Sequence, residues 1–138
     1  MNDNNNNEYD IDVDDLRKNI EVYYIWGPDE DRNAKKAYEI DNYEGDIVNY
    51  VDGCWHIYGG LGRCCIYEDF RDTDISLDEF VHFIDYNKHI MSIRRGQIVN
   101  DYQRIIITST QDPHDIYKNV DEDPKRWLRR MKIINMNH

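Results

Sequence analysis

The chain has 138 residues, of which 40% are hydrophobic and 33% charged, with a formal net charge of −11. That length supports one domain around a single core. No apolar run approaches the roughly 18 residues of a membrane helix and no signal-peptide pattern is present, so the sequence predicts a soluble, intracellular protein with no membrane partner. The charge is unevenly placed: residues 1–87 carry 7 Lys and Arg against 22 Asp and Glu, whereas residues 88–138 carry 10 against 6. This asymmetry points to a second half able to face a polyanion, beside the plainer alternative of a solvated basic surface.

Residues 1–15 hold six acids and no base, with four consecutive Asn at positions 4–7. Such a segment lacks the apolar area to order itself and is expected to be a disordered tail, leaving residues 16–138 as the domain. Ile20 to Trp26 reads as an apolar strand closed by Gly27-Pro28, and Ala34 to Ile40 as a short helix. Ile47 to Val51 is a weaker strand. It leads into a Gly-rich stretch from Trp55 to Gly62, where a turn is expected with Trp55 and Tyr58 packed beneath it.

Cys64 to Tyr67 is a continuous apolar run closing on Glu68-Asp69, as suits a strand buried on both faces. Ser76-Leu77-Asp78-Glu79 is a capping box, and the helix it opens should bury Leu77, Phe80, Val81 and Ile84. Ile90 to Val99 forms a hairpin with its turn at Arg94-Arg95-Gly96-Gln97. Ile105-Ile106-Ile107 is another buried strand. Asp123-Pro124 should start a basic helix through Met131, with Asp at the N-cap and Pro at the first helical position. Ile133-Ile134 can close the sheet.

Cys54, Cys64 and Cys65 show no C-x-x-C spacing, which argues for small hydrophobes rather than a zinc site. His56, His82, His89 and His114 have no ligand spacing either. Buried β-runs interleaved with helices predict an α/β layered sheet flanked by helices. Ligands of such sheets lie beyond the carboxyl ends of the strands, where Gly27, Glu68-Asp69 and Thr108-Ser109-Thr110 all fall.

The strand–Gly-Pro–helix opening has the frame of a P-loop without its chemistry. Phosphate binding there needs glycines whose N–H groups curl around the ligand, then Lys and a hydroxyl residue. Counting from Gly27, the inner glycine positions hold Glu30 and Arg32, and the Lys-Ser pair is Asn33-Ala34. Glu30 and Asp31 add negative charge where phosphates would lie. Lys35 or Lys36 could substitute only if the loop shifted by two or three residues.

The order of these motifs resembles the superfamily 3 helicase domain, itself similar to AAA+ ATPases, of Rep proteins from circular single-stranded DNA viruses. Residues 22–28 resemble that family's opening strand, Trp55 to Gly62 its Gly-rich aromatic segment, and Ile66 to Arg71 its Walker B run. Ile93 to Gly96 resembles its Lys-bearing hairpin, Ile105 to Thr110 its motif C, and Leu128-Arg129-Arg130 its terminal motif. The likeness spans about residues 20–136.

The resemblance implies that Glu68 and Asp69 stand where active relatives hold Mg²⁺ and polarise water, with Thr110 standing where the motif C Asn belongs, all three catalytic only if activity survives. It implies that Gly27, Pro28, Asn33, Ala34, Lys35 and Lys36 line the nucleotide position. Arg94 and Arg95 would touch nucleic-acid phosphates, and Arg129 and Arg130 would act as an arginine finger or at a subunit interface. No His-x-His pair of a nuclease precedes the helicase-like part, so cutting and joining DNA is not expected. The expectation is a degenerate Rep-like domain with no tightly bound cofactor, ATP and Mg²⁺ entering only if activity survives. Its partners would be single-stranded DNA or RNA, a further copy of itself, or an active Rep-like paralogue. A weak ATPase and a decayed gene product are the alternatives.

Overall fold

The computed structural model describes residues 19–137. The tail expected at 1–15 therefore lies outside the described residues. The elements in chain order are β1 (Glu21–Trp26), α1 (Glu30–Asp41), β2 (Asp46–Val51), β3 (Cys54–Tyr58), β4 (Cys64–Tyr67), α2 (Leu77–Ile84), β5 (Ile90–Ile93), β6 (Gly96–Val99), β7 (Arg104–Ser109), α3 (Lys125–Leu128) and β8 (Lys132–Asn135). No described helix is long and apolar enough to cross a membrane.

The protein is mixed α/β. Its eight strands form one sheet in the order β6-β5-β3-β2-β4-β7-β1-β8. The strands β2, β4, β7, β1 and β8 run parallel to one another. β3 is antiparallel to β2, β5 runs with β3, and β6 turns back against β5. Parallel strands need crossovers, and these cover both faces, so their residues are apolar without alternation. Ile105, Ile106 and Ile107 of β7 are all 0% exposed, which places this strand at the centre.

The two faces have separate cores. Ile25, Ile66 and Ile106 pack with Ala37 of α1 on one side. Val22, Tyr24, Cys65, Tyr67, Ile105 and Ile107 point the other way, onto Leu77, Phe80, Phe83 and Ile84 of α2 and onto Trp127. An aromatic cluster fills this second side, with Phe70 and Phe80 at 5.1 Å and Trp55 and Phe83 at 4.5 Å between ring centroids.

Several local expectations are corrected. The first helix begins at Glu30 rather than Ala34, because Asp29 caps it. The Gly-rich stretch starts as β3, and Tyr58 is 61% exposed instead of packed beneath a turn. Ser76 caps α2 by accepting from the Glu79 N–H, but the Glu79 carboxylate accepts from Trp55 Nε1 at 2.9 Å. Phe83 is buried on that helix where Val81 is only partly so. The basic helix stops at Leu128, with Pro124 as its N-cap. The Asp123 carboxylate still accepts from the Lys125 N–H at 3.0 Å.

Candidate functional site

Because β4, β7 and β1 are adjacent and parallel, their carboxyl ends bring Gly27, Glu68 and Thr110 to one edge of the sheet. The sequence-predicted cleft therefore exists as a place. Its contents differ from those of a phosphate site.

The turn out of β1 contains only Gly27, Pro28 and Asp29 before the helix starts. Asp29 takes an extended conformation, and its Oδ1 accepts from the N–H groups of Asp31 at 3.0 Å and Arg32 at 3.2 Å. These are the amides a bound anion would need. Glu30 and Asp31 in the first turn complete a negative cap that suits the helix dipole and opposes a phosphate.

Asn33 is 1% exposed. Its Nδ2 donates to the carbonyls of Gly27 at 3.0 Å and Ser109 at 3.1 Å, tying α1 to the ends of β1 and β7. Its Oδ1 is buried without a hydrogen-bond partner among the described residues. A side chain at Gly27 would meet Met136 Cβ at 3.1 Å and Asn33 Oδ1 at 3.3 Å, so close packing against the exit of β8 accounts for this glycine. Arg32 donates to the Met136 carbonyl at 3.3 Å, closing the same corner from outside. Ala34 is half-buried on α1. Lys35 and Lys36 lie within the second turn of α1, not on the turn after β1.

The acids at the end of β4 are engaged separately. Tyr38 of α1 donates its phenol to Glu68 Oε2. Burial first, then this contact and the nearby carboxylate charge, push the Tyr38 pKa up to about 12. Asp69 has φ 53, a left-handed turn that Asp tolerates better than most residues. Its N–H donates to Thr108 Oγ1 at 3.0 Å. That turn sends the chain back so that Arg71 enters the cleft, 3.4 Å from Asp69, 3.9 Å from Glu30 and 3.2 Å from Thr110 Oγ1. Ser109 Oγ donates to the Phe70 carbonyl at 2.6 Å and fixes the two strand exits together. Among the described residues, no group of three or more His, Cys, Asp or Glu side chains is arranged to hold a metal ion.

Arg94 and Arg95 form the two-residue turn between β5 and β6 and are exposed. Tyr58, at the end of β3, pairs with Ile47 at the start of β2, and β5 runs with β3. Ile93 pairs with Trp55, itself opposite Tyr50 near the carboxyl end of β2, so the Arg94-Arg95 turn starts beside the first half of β3 and points towards that strand's end, separated from β4 by β2 and β3. Beside it lies a groove of about 400 Å³ lined by Trp55, Tyr58, Leu61, Ile93 and Ile98 together with both arginines. Arg130 is held inside the chain, 3.0 Å from Asp85 and 4.0 Å from the ring centre of Tyr86; Arg129 is exposed.

Sequence reasoning missed Asp29 as the cap, Tyr38 as the partner of Glu68, and Arg71 as the cation of the cleft. Asp before a helical run was the available signal for the first; nothing local announces the other two. No protein-family model matches this sequence, and no curated protein is significantly similar to it.

Proposed function

We propose that this chain is a degenerate Rep-like, AAA+-related helicase domain whose nucleotide cleft is closed by its own side chains. It works as a nucleic-acid-binding or assembly module, alone or with an active Rep-like paralogue. The observation that carries this reading is Asn33, at the position of the P-loop lysine, bonded to Gly27 and Ser109. Its support comes from the parallel arrangement of β1, β7 and β4, which sets the three resembling motifs side by side.

The residues present do not fit ATP and Mg²⁺. The Asp29 carboxylate stands on the helix amides, Arg71 lies between the acids, and Asn33 and Ala34 offer neither ammonium nor hydroxyl. Calorimetric titration should give an ATP–Mg²⁺ dissociation constant in the millimolar range, about −4 kcal/mol. A micromolar constant overturns the closed-cleft reading in favour of an ATPase.

The exposed Arg94-Arg95 turn beside an aromatic groove favours the nucleic-acid role over pure assembly. Guanidinium groups contact phosphates and aromatic faces stack on bases. Single-stranded DNA should bind with steep salt dependence, and replacing both arginines with Ala should flatten the log–log slope by roughly 1.4, as for two phosphate contacts. No binding at low salt, with and without residues 1–15, removes the nucleic-acid role.

A further inference from the structure

The two faces of the sheet are covered unequally. On one side α1 lies over β1, β7 and β4 and packs Ala37 against Ile25, Ile66 and Ile106. The other two helices, α2 and α3, pack on the opposite side, in the core that holds Trp55 and Met91. Among the described residues, the α1 side of β2, β3, β5 and β6 therefore has no helix of its own.

Successive side chains of a strand point to opposite faces. Trp55, Ile57, Met91, Ile93 and Ile98 enter the aromatic core with α2, so the residues between them point away from it. On β2 and β3 these form paired rows: Ile47 with Tyr58, Asn49 with His56, and Val51 with Cys54. On β5 and β6 the rows are Ile90 with Val99 and Ser92 with Gln97. Because Trp55 pairs with Ile93, the Val51-Cys54 row runs on into Ser92 and Gln97 across all four strands.

Val51, Tyr58, Ile90 and Val99 are each between 45% and 61% exposed. No side chain in these rows is Asp, Glu, Lys or Arg, although 33% of the chain is charged. Depletion of charge around apolar and aromatic residues marks the centre of an interface rather than ordinary surface. Such a face selects neither a basic nor an acidic partner. It lets two copies of a chain with net charge −11 meet without like charges in contact. Asn49, His56, Ser92 and Gln97 carry both donors and acceptors, which gives the face the self-complementarity that a two-fold interface requires.

We propose that two copies of this chain join through this uncharged face, sheet to sheet, about a two-fold axis running along the strands. Stacked sheets lie about 10 Å apart, and α1 occupies that layer over its own half of the sheet. An axis along the strands sets each copy's edge strand β6 beside its partner's α1; an axis across them would drive the two α1 helices together. Four strands and six residues of strand length give a face of roughly 19 by 20 Å, small beside the roughly 800 Å² per partner of a standard interface. The pair is therefore weak, with a dissociation constant on the order of 10 µM. Tyr58 and His56 also line the groove beside Arg94 and Arg95, so neither is altered in the test.

Sedimentation velocity of the full chain should show monomer giving way to dimer between about 1 and 200 µM. Val51→Lys with Val99→Lys, both exposed on the face, should stay monomeric throughout, a rise in dissociation constant of at least about thirtyfold. Ile133→Lys, exposed on β8 at the far edge of the sheet, should dimerise like the parent. Val99 replaced by the photo-reactive p-benzoylphenylalanine reads the same contact without added charge, whether or not the lysine variant folds. Irradiation should link position 99 to residues 47–58 of a second chain, and the link should vanish on dilution to about 1 µM. Monomer at about 200 µM, a dimer indifferent to the two lysines in a folded variant, or links from position 99 only within its own chain each overturn the proposal. Dimerisation without binding of single-stranded DNA leaves the dimer standing and removes only the role proposed for Arg94 and Arg95.

Discussion

The side-chain amide of Asn33 lies 3.0 Å from the carbonyl oxygen of Gly27, six residues earlier. A lysine in its place would reach out of the turn towards a phosphate; the shorter amide reaches inward and joins the turn to β7 through Ser109. The corner beyond β1 is a packed junction of β1, β7, α1 and the exit of β8.

Removing that junction should therefore affect stability and leave ATP binding unchanged. Asn33→Ala removes both Nδ2 bonds, leaving the Gly27 carbonyl without that donor while Ser109 keeps only the Gly27 N–H at 3.3 Å, and should cost about 2 kcal/mol, lowering the thermal midpoint by roughly 6–10 °C. Asn33→Lys should be at least as damaging, since it sets an ammonium at a site 1% exposed. Even Glu30→Gly, Arg32→Gly, Asn33→Lys and Ala34→Ser together should not give tight ATP binding, because Asp29 still caps the helix. Calorimetry on this variant with and without Asp29→Gly separates the two obstacles.

Tyr38 and Glu68 give an alkaline signature. With its pKa raised to about 12, the Tyr38 phenol stays protonated in the fold beyond the ordinary value. The stability this supplies is fully present below about pH 10, the unfolded value, and is lost as pH rises through about 12. Tyr38→Phe should lower stability at neutral pH and reduce its decline across that window, as read by urea unfolding at each pH. A decline unchanged in Tyr38→Phe would show that the phenol is not held by Glu68.

Asp85 gives the acid counterpart. Burial pushes its pKa up, but the bonds from His89 and the Tyr86 N–H, with the Arg130 guanidinium, outweigh this and hold it below the usual carboxylate value. Its contribution is present above an unfolded pKa of about 3.9 and lost as pH falls through the lower folded value. Arg130→Ala should weaken the protein at neutral pH and flatten the fall in stability below about pH 4. Unfolding midpoints between about pH 2 and 7 check this, and equal slopes in both proteins would contradict it.

Gly45 should not tolerate a side chain. A Cβ there would lie 2.4 Å from Asp41 Oδ1 and 2.8 Å from the Cys64 carbonyl, while the Gly45 N–H already donates to Asp41 Oδ2 at 2.8 Å. Gly45→Ala should destabilise by about 1–3 kcal/mol, as overpacking does. Gly53→Ala is a useful contrast, since a Cβ there meets nothing within 4 Å and only its positive φ of 79° opposes the change. Chemical denaturation of both variants should rank Gly45→Ala as the more damaging.

The sequence by itself determined the elements whose signals are local. Continuous apolar runs marked β1, β4 and β7, Ser76 marked the start of α2, and Arg94-Arg95 marked the hairpin turn, because burial on two faces, end capping and tight turns constrain residues within a few positions. It also determined that the residues of a phosphate loop are missing after Gly27. Only the tertiary structure decided what that corner holds. Arg71 reaches Thr110 across 39 residues, Tyr38 reaches Glu68 across 30, and Asn33 reaches Ser109 across 76. It also separated the arginine turn from β4 by β2 and β3, whose antiparallel pairing reverses the strands beyond it. Such contacts follow from strand order and direction, which hydrophobic periodicity does not encode: the same apolar run fits a parallel neighbour or an antiparallel one, and only the packed sheet selects between them.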